Sequence, residues 1–316
     1  MTVEPLIAGV RGGERRAIGR AISVAERLGP EGRALVAALH QDTGRAWRVG
    51  ITGPPGAGKS TLIGGLAGLL RREGRSVAVV SVDPTSPFTR GAVLGDRIRL
   101  ADHFLDPGVF IRSMASRGHQ GGLAEATADA VLVLDAAGFD VVIVETVGSG
   151  QNEVEVQSLT ETVVLALMPG SGDGVQAIKA GLMEIPDVLA VTKADRPGAG
   201  VLVSELANAL TLVPGGPWEP PIVRVAALDG TGLEELWEAV ERHRAFLGEE
   251  DRLEARRREG LARQLRALAA DRLARRVDAA ADPAFVEALI DDVLARRVDP
   301  AEAVDRILGR ADLSPG

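Results

Sequence analysis

The sequence predicts an α/β protein built on a mainly parallel, doubly wound sheet, with helical extensions at both ends. Three observations lead there. Short runs rich in Val and Ile alternate with helical stretches between Trp47 and about Phe246. The runs are continuously apolar rather than alternating, the pattern of strands covered on both faces. A glycine-rich octapeptide follows the first run and precedes a helical pattern.

The elements are justified in chain order. From Arg15 to about His40, Ile18, Ile22, Ala25 and Leu28 share one helical face, Gly29-Pro30 breaks it, and Leu35, Val36 and Leu39 resume it. Residues 1–45 are therefore expected to form an N-terminal helical extension. The expected strands are Val49–Thr52, Val77–Val82, Val109–Ser113, Val141–Val144, Val163–Met168, Val188–Val191 and Ile222–Val225. They define a domain over 46–247, and ligands of such sheets bind beyond the carboxyl ends of the strands. Residues 248–316 are charged and helical, with Leu253, Leu261, Leu265, Leu268 and Leu273 among many Arg and Glu. Asp282-Pro283 and Asp299-Pro300 mark two helix starts, each an N-cap acceptor before a first-turn proline. Glu302 is placed to complete a capping box with Asp299. The tail either folds back on the main domain or serves as an arm that pairs with a second chain.

Composition narrows the function. The 316 residues carry 44 acidic against 36 basic side chains, a formal charge of −8. A net-acidic chain with 3% aromatics and no Tyr is a poor partner for a nucleic-acid backbone or its bases. The absence of Cys removes thiolate chemistry, disulfides and Cys-based metal sites. No apolar run reaches the length of a membrane span, and Met1–Gly13 lacks the pattern of a signal peptide. A cytoplasmic protein without membrane or nucleic-acid partners is expected.

Gly53-Pro54-Pro55-Gly56-Ala57-Gly58-Lys59-Ser60 matches the P-loop pattern, with a strand before it and a helix opening near Thr61 after it. Its backbone N–H groups and the helix N-terminus suit phosphates, Lys59 would reach the β and γ positions, and the Ser60 hydroxyl would bind Mg²⁺. The fold class is thus a P-loop NTPase. Mg²⁺ takes one or two carboxylates as well; Asp83 and Glu145 each end an expected strand on the ligand edge. Gly148, three residues after Glu145, is placed to offer an N–H to a γ-phosphate. Thr192-Lys193-Ala194-Asp195 follows the sixth run and corresponds to the guanine-reading Asn-Lys-x-Asp pattern. A carboxylate at Asp195 accepts two N–H bonds from guanine that adenine does not offer. Here Thr192 stands in place of Asn, and Ala226-Ala227 stands where many GTPases carry Ser-Ala.

Several long segments then resemble the MeaB/ArgK family of P-loop GTPases, chaperones of adenosylcobalamin-dependent acyl-CoA mutases. The matching stretches are Gly53–Thr61, Val82–Pro87, Gly95–Arg99, Gly108–Gly122, Glu145–Glu153, Met168–Asp195 and Gly230–Trp237. Most specific is Met168-Pro169-Gly170-Ser171-Gly172-Asp173 with Gln176, Lys179 and Met183-Glu184; the family's Ser after Gln151 is Asn152 here. The resemblance implies GTP hydrolysis and a methylmalonyl-CoA mutase or related acyl-CoA mutase as client. It further implies a homodimer through the C-terminal arm. It places Asp96 with Asp83 and Glu145 around the metal and γ-phosphate. Asp173, Gln176 and Lys179 would form an additional switch, with Lys179 reaching the phosphates when a partner binds. Two alternatives are a nickel-type metal-delivery GTPase and an ATP-dependent small-molecule kinase. The four His, at 40, 103, 119 and 243, are too scattered to advertise a metal site, and Asp195 opposes adenine.

Overall fold

A computed structural model describes residues 3–83, 103, 105–115, 120–146, 152–170, 185–212 and 216–311, with backbone alone at 83, 115, 120–124 and 152–155. Strands β1 (Trp47–Thr52), β2 (Val77–Asp83), β3 (Val109–Ala115), β4 (Val141–Thr146), β5 (Thr162–Leu167), β6 (Val188–Thr192) and β7 (Ile222–Val225) occupy the seven expected runs. They form one sheet in the order β3-β2-β4-β1-β5-β6-β7, and each pairing is parallel. β1 lies between β4 and β5, where the strand order switches.

Alternation within each apolar run explains the layers. Val77, Val79, Val141, Ile143, Val164 and Ala166 pack on one face with α4 (Lys59–Arg72) and α8 (Leu233–Leu247). Ala78, Val80, Val142 and Val144 point to the other face, toward α5 (Gln120–Ala136) and Val156 of α6 (Asn152–Leu159). Further along that face Leu165, Leu167, Leu189 and Val191 pack with α7 (Ala199–Leu210). Both sides of the inner strands β4 and β5 exclude water along their whole length, whereas the edge strand β7 exposes Arg224.

The N-terminal helices are α1 (Glu4–Arg11), α2 (Arg15–Ala25) and α3 (Pro30–Leu39). α2 and α3 match the expected pattern and its Gly29-Pro30 break. α1 was not expected: Gly9 and the following Gly12-Gly13 thin its stripe, yet Leu6 and Val10 are buried with Ile18, Ile22 and Leu35. These three helices add a layer outside α5. Asp135 of α5 receives the N–H groups of Gly44, Arg45 and Ala46 at 2.7, 3.1 and 3.0 Å, tying the entry into β1 to that layer.

The long helix α9 (Arg252–Ala280) begins against the amino ends of the strands, opposite the phosphate loop. Arg257 and Arg48 both meet Glu161, which is 0% exposed, and Arg256 meets Asp187 at 2.9 Å. Asp187 also accepts the Val163 N–H at 2.8 Å and faces His243 Nε2 at 3.4 Å. Gly260 lies against the Ser158 carbonyl, where an added Cβ would stand 3.0 Å away. The chain divides into two compact units, Met1–Gln264 and Leu265–Gly316. In the second, α10 (Pro283–Leu294) and α11 (Pro300–Arg310) bury Leu289, Val298 and Ala303 with Phe285, Val293 and Ile307. Asp282 accepts the Ala284 N–H; Asp299 accepts those of Ala301 and Glu302. The capping box does not close by the Glu302 side chain, whose carboxylate takes the Arg306 guanidinium one turn on, at 2.6 Å. No described helix is long and apolar enough to cross a membrane.

Burial and the nearby Arg256 charge push the His243 imidazole down to about 3, whereas burial pushes the Asp187 carboxyl up to about 6. The two linkage signs oppose each other. Asp187 stabilises the fold most below its unfolded value and loses that contribution as pH rises through 6. His243 adds no penalty above about pH 6.5, and its contribution is lost as pH falls toward 3. His243→Gln removes the second effect alone. In urea melts, the wild-type advantage over this variant should be largest at pH 7.5 and shrink by about 2 kcal/mol near pH 4.5; an advantage independent of pH would contradict the neutral-imidazole assignment.

Candidate functional site

The phosphate loop leaves the carboxyl end of β1 at the middle of the sheet. Its glycines hold the left-handed conformations that the turn requires: Gly53 at φ +140°, Gly56 at +80° and Gly58 at +86°. Gly53 is constrained twice over, because a Cβ there would meet the Ala166 carbonyl oxygen of β5 at 2.1 Å. Gly58 is the N-cap of α4, which opens at Lys59, two residues before the expected Thr61. Lys59 and Ser60 therefore stand in the first helical turn, where backbone N–H groups have no intrahelical acceptors and the helix dipole favours anions. Lys59 Nζ donates to the Gly53 and Pro54 carbonyls at 2.7 and 3.0 Å, folded over its own loop.

Glu145 meets this loop from β4. β4 lies between β1 and β2, so Glu145 is in register with Ile51 on one side and Ser81 on the other. Its carboxylate is buried and accepts the Ser60 hydroxyl at 2.9 Å on Oε1 and the Ser81 hydroxyl at 3.0 Å on Oε2. Thr146 donates to the Thr52 hydroxyl at 3.3 Å one step further along. A buried carboxylate needs hydrogen bonds of this kind, because burial removes it from water. Ser81 was not among the expected site residues. Its signal was present: one hydroxyl inside an otherwise apolar strand.

A second cluster forms beyond β6 and β7. Thr192 ends β6, and its hydroxyl lies 2.5 Å from the Ala57 carbonyl and 3.0 Å from that of Leu167. Lys193 takes φ +50°, uncommon for a residue with a side chain, and folds its ammonium back onto the Gly56 carbonyl at 2.7 Å and Met168 Sδ at 3.1 Å. The chain then turns outward and leaves Asp195 exposed. The Ala194 N–H donates to the Val225 carbonyl, and the Ala226 N–H to that of Thr231, so Ala226 and Ala227 lie beside this turn. Pro54, Pro55 and Thr61 belong to the same loop and helix start.

Of the other expected site residues, Asp83 ends β2 next to Glu145's strand, with backbone alone described. Asp96, Gly148, Asp173, Gln176 and Lys179 lie outside the described residues, as does His119. His103 is placed differently from a ligand: its Nε2 is 2.9 Å from the Gly64 carbonyl of α4. Among the described residues no group of three His, Cys, Asp or Glu is arranged to hold a metal ion.

Phosphate loop, buried acid and the Thr192–Asp195 turn thus share one edge of a parallel sheet. Residues 18–282 match the family model described as methylmalonyl-CoA mutase-associated GTPase MeaB. The chain belongs to the MeaB family. It is 46% identical to a Pyrococcus horikoshii protein described as a GTPase, over 97% of both chains. It is 38% identical to GTPase ArgK of Escherichia coli, over 76% of this chain and 75% of the other. The mouse mitochondrial methylmalonic aciduria type A homolog is 32% identical over 75% of this chain and 62% of its own. The crystal structure of a LAO/AO transport system kinase superposes with a TM-score of 0.74 at 28% identity, covering 98% of this chain and 97% of that one. As a MeaB-family member the chain is a GTPase with a P-loop fold, and GTP is its substrate.

Gly53→Ala tests the loop's dependence on its neighbour strand. With a 2.1 Å clash against backbone, the loop must shift. Nucleotide affinity should fall at least tenfold, on the scale of a displaced phosphate-binding N–H, as measured by calorimetry with GDP. Unchanged affinity would mean that the loop does not need its contact with β5.

Proposed function

We propose that this GTPase is a chaperone of an adenosylcobalamin-dependent acyl-CoA mutase, with methylmalonyl-CoA mutase the first candidate, and that GTP hydrolysis gates loading of the mutase's cofactor. The observation that carries the reading is the MeaB family match over residues 18–282, whose description names the mutase association. The name of the mouse relative supports the same metabolic setting.

In this reading the site works by positioning and charge. The loop N–H groups from Gly53 to Ser60 orient the phosphates, and Lys59 swings from the Gly53 and Pro54 carbonyls to the β and γ oxygens. Ser60 and Glu145 provide hard oxygens of the kind Mg²⁺ takes, already converging at 2.9 Å; Asp83 and Asp96 complete the set. Mg²⁺, when bound, would neutralise charge on the β and γ phosphates. Glu145 would keep its place through Ser81 while Ser60 turns to the metal. Gly148 offers an N–H to the γ-phosphate, and Asp195 reads guanine while Ala226 and Ala227 line the base. Asp173, Gln176 and Lys179 form the switch that senses the client, Lys179 entering as a cation once the mutase is bound. Residues 248–316 act as an arm that joins two copies in the cytoplasm, in keeping with the exposed Leu261, Leu265 and Leu273.

The test is GTP hydrolysis, with ATP as control, with and without the source organism's acyl-CoA mutase. Acceleration by the mutase, confined to GTP, is the expected result; GTP turnover indifferent to the mutase would remove the client. Lys179→Ala should abolish the acceleration while GTP binding persists. Lys59→Ala should remove binding itself. Stimulation surviving in Lys179→Ala would leave the proposed cationic role without support.

A further inference from the structure

Glu145 is held at both of its oxygens. Oε1 accepts the Ser60 hydroxyl at 2.9 Å, and Oε2 accepts the Ser81 hydroxyl at 3.0 Å. The two donors stand in different places. Ser60 lies in the first turn of α4, where phosphates and their metal would come. Ser81 lies inside β2, 2% exposed, and the Glu145 carboxylate is the one partner of its hydroxyl among the described residues. Register explains the pairing. Val79 sits opposite Ile143 and Ser81 opposite Glu145, two successive steps on one face of neighbouring parallel strands. Val79 and Ile143 are fully buried and apolar, so the two strands turn polar together. An alanine would fill the same space in β2; what the hydroxyl adds is a donor to the Glu145 oxygen that does not meet Ser60.

The terminal torsion of a glutamate is broad, so a carboxylate anchored at one oxygen still swings. Anchored at both, it keeps one orientation, and so does the Ser60 hydroxyl that donates to it. With its single proton committed to Oε1, that hydroxyl turns its lone pairs elsewhere. Hard cations differ in how much they need such fixing. Mg²⁺ demands near-ideal octahedral geometry at short distances, whereas Ca²⁺ accepts longer and more irregular ones. Fixed oxygens therefore favour Mg²⁺, and loosened oxygens give up that advantage.

We propose, on the reading that Ser60 and Glu145 form the metal side of the nucleotide site, that Ser81 is a positioning residue that determines the preference for Mg²⁺ over Ca²⁺. It touches neither ion nor nucleotide. It acts through Glu145 and Ser60, and it separates metal choice from nucleotide affinity: the loop N–H groups hold the phosphates whether or not residue 81 carries a hydroxyl.

The experiment follows GDP binding to the full-length protein by calorimetry, first without divalent ions and then across Mg²⁺ and Ca²⁺ titrations. The readout is the concentration of each ion that half-maximally strengthens GDP binding. In Ser81→Ala the Mg²⁺ requirement should rise about tenfold, the scale on which the partners of metal ligands act. The Ca²⁺ requirement should rise by a smaller factor, and metal-free GDP affinity should stay at the wild-type value. Ser81→Thr, which restores a hydroxyl on a side chain suited to a strand, should return the Mg²⁺ requirement. An unchanged Mg²⁺ requirement in Ser81→Ala would overturn the proposal. Parallel weakening of both ions would overturn it too, because the hydroxyl would then serve affinity and not choice. A metal-free affinity that falls as far as the metal-loaded one would make Ser81 a support of the loop instead. Should the Ala variant fail to fold, Ser81→Cys, similar in size and a weak donor, is held to the same readouts. Wild-type GDP binding indifferent to both ions would overturn the metal assignment of Ser60 and Glu145 beneath the proposal, an outcome that no Ser81 variant can mimic.

Discussion

Parallel pairing obliges the chain to cross over after each strand, and the crossovers bring the carboxyl ends of all the described strands to one edge. Everything chemical in this molecule depends on that constraint. The sheet's apolar interior admits few polar groups, so Thr52, Ser81, Glu145, Thr146 and Thr192 gather near the strand tips, where the interior gives way. β1 holds the centre because β4 and β5 flank it, and the two neighbours contribute in different ways. β4 delivers a carboxylate to Ser60. β5 delivers only backbone, and by doing so dictates that the loop begin with a residue lacking a side chain.

The opposite edge is polar for another reason. There the amino ends of β1, β5 and β6 meet the start of α9, and Glu161 and Asp187 are buried among arginines. Such pairs rarely add much net stability, since desolvation offsets the attraction. Removing one partner is costly all the same, because a buried charge is left behind. The two edges show different partners: Glu161 and Asp187 at one meet guanidinium groups, whereas Glu145 at the other accepts the Ser60 and Ser81 hydroxyls.

How much of this was legible beforehand differs by element. The strands were readable because double-sided burial leaves no room for polar residues, and each continuous apolar run became a strand within two residues. The phosphate loop and the Asp-Pro helix starts were readable because their conformations demand particular residues at particular spacings. α1 escaped because a short helix with glycines along it lacks a clear stripe, and its burial depends on α2 and α3 rather than on its own periodicity. Ser81 escaped because a single hydroxyl has no spacing to announce it; its meaning comes from the register that sets it opposite Glu145. That the tail could fold back was one of two expectations; which residues dock α9 escaped for a related reason. An arginine-rich helix looks solvated until one knows which carboxylates the fold has buried within reach of Arg256 and Arg257.

Those two arginines are consecutive, and consecutive residues on a helix project about 100° apart. They engage carboxylates from separate loops, one before β5 and one before β6. A helix held by one residue can still roll about its axis; a helix held at two azimuths cannot. Gly260 against Ser158 adds a third point that sets its height over α6. The first turns of α9 are therefore locked in rotation as well as position. The bearing of Leu261, one residue beyond Gly260, is thereby decided within the fold, so any association through it would be spared local ordering of the helix though not the loss of rigid-body freedom.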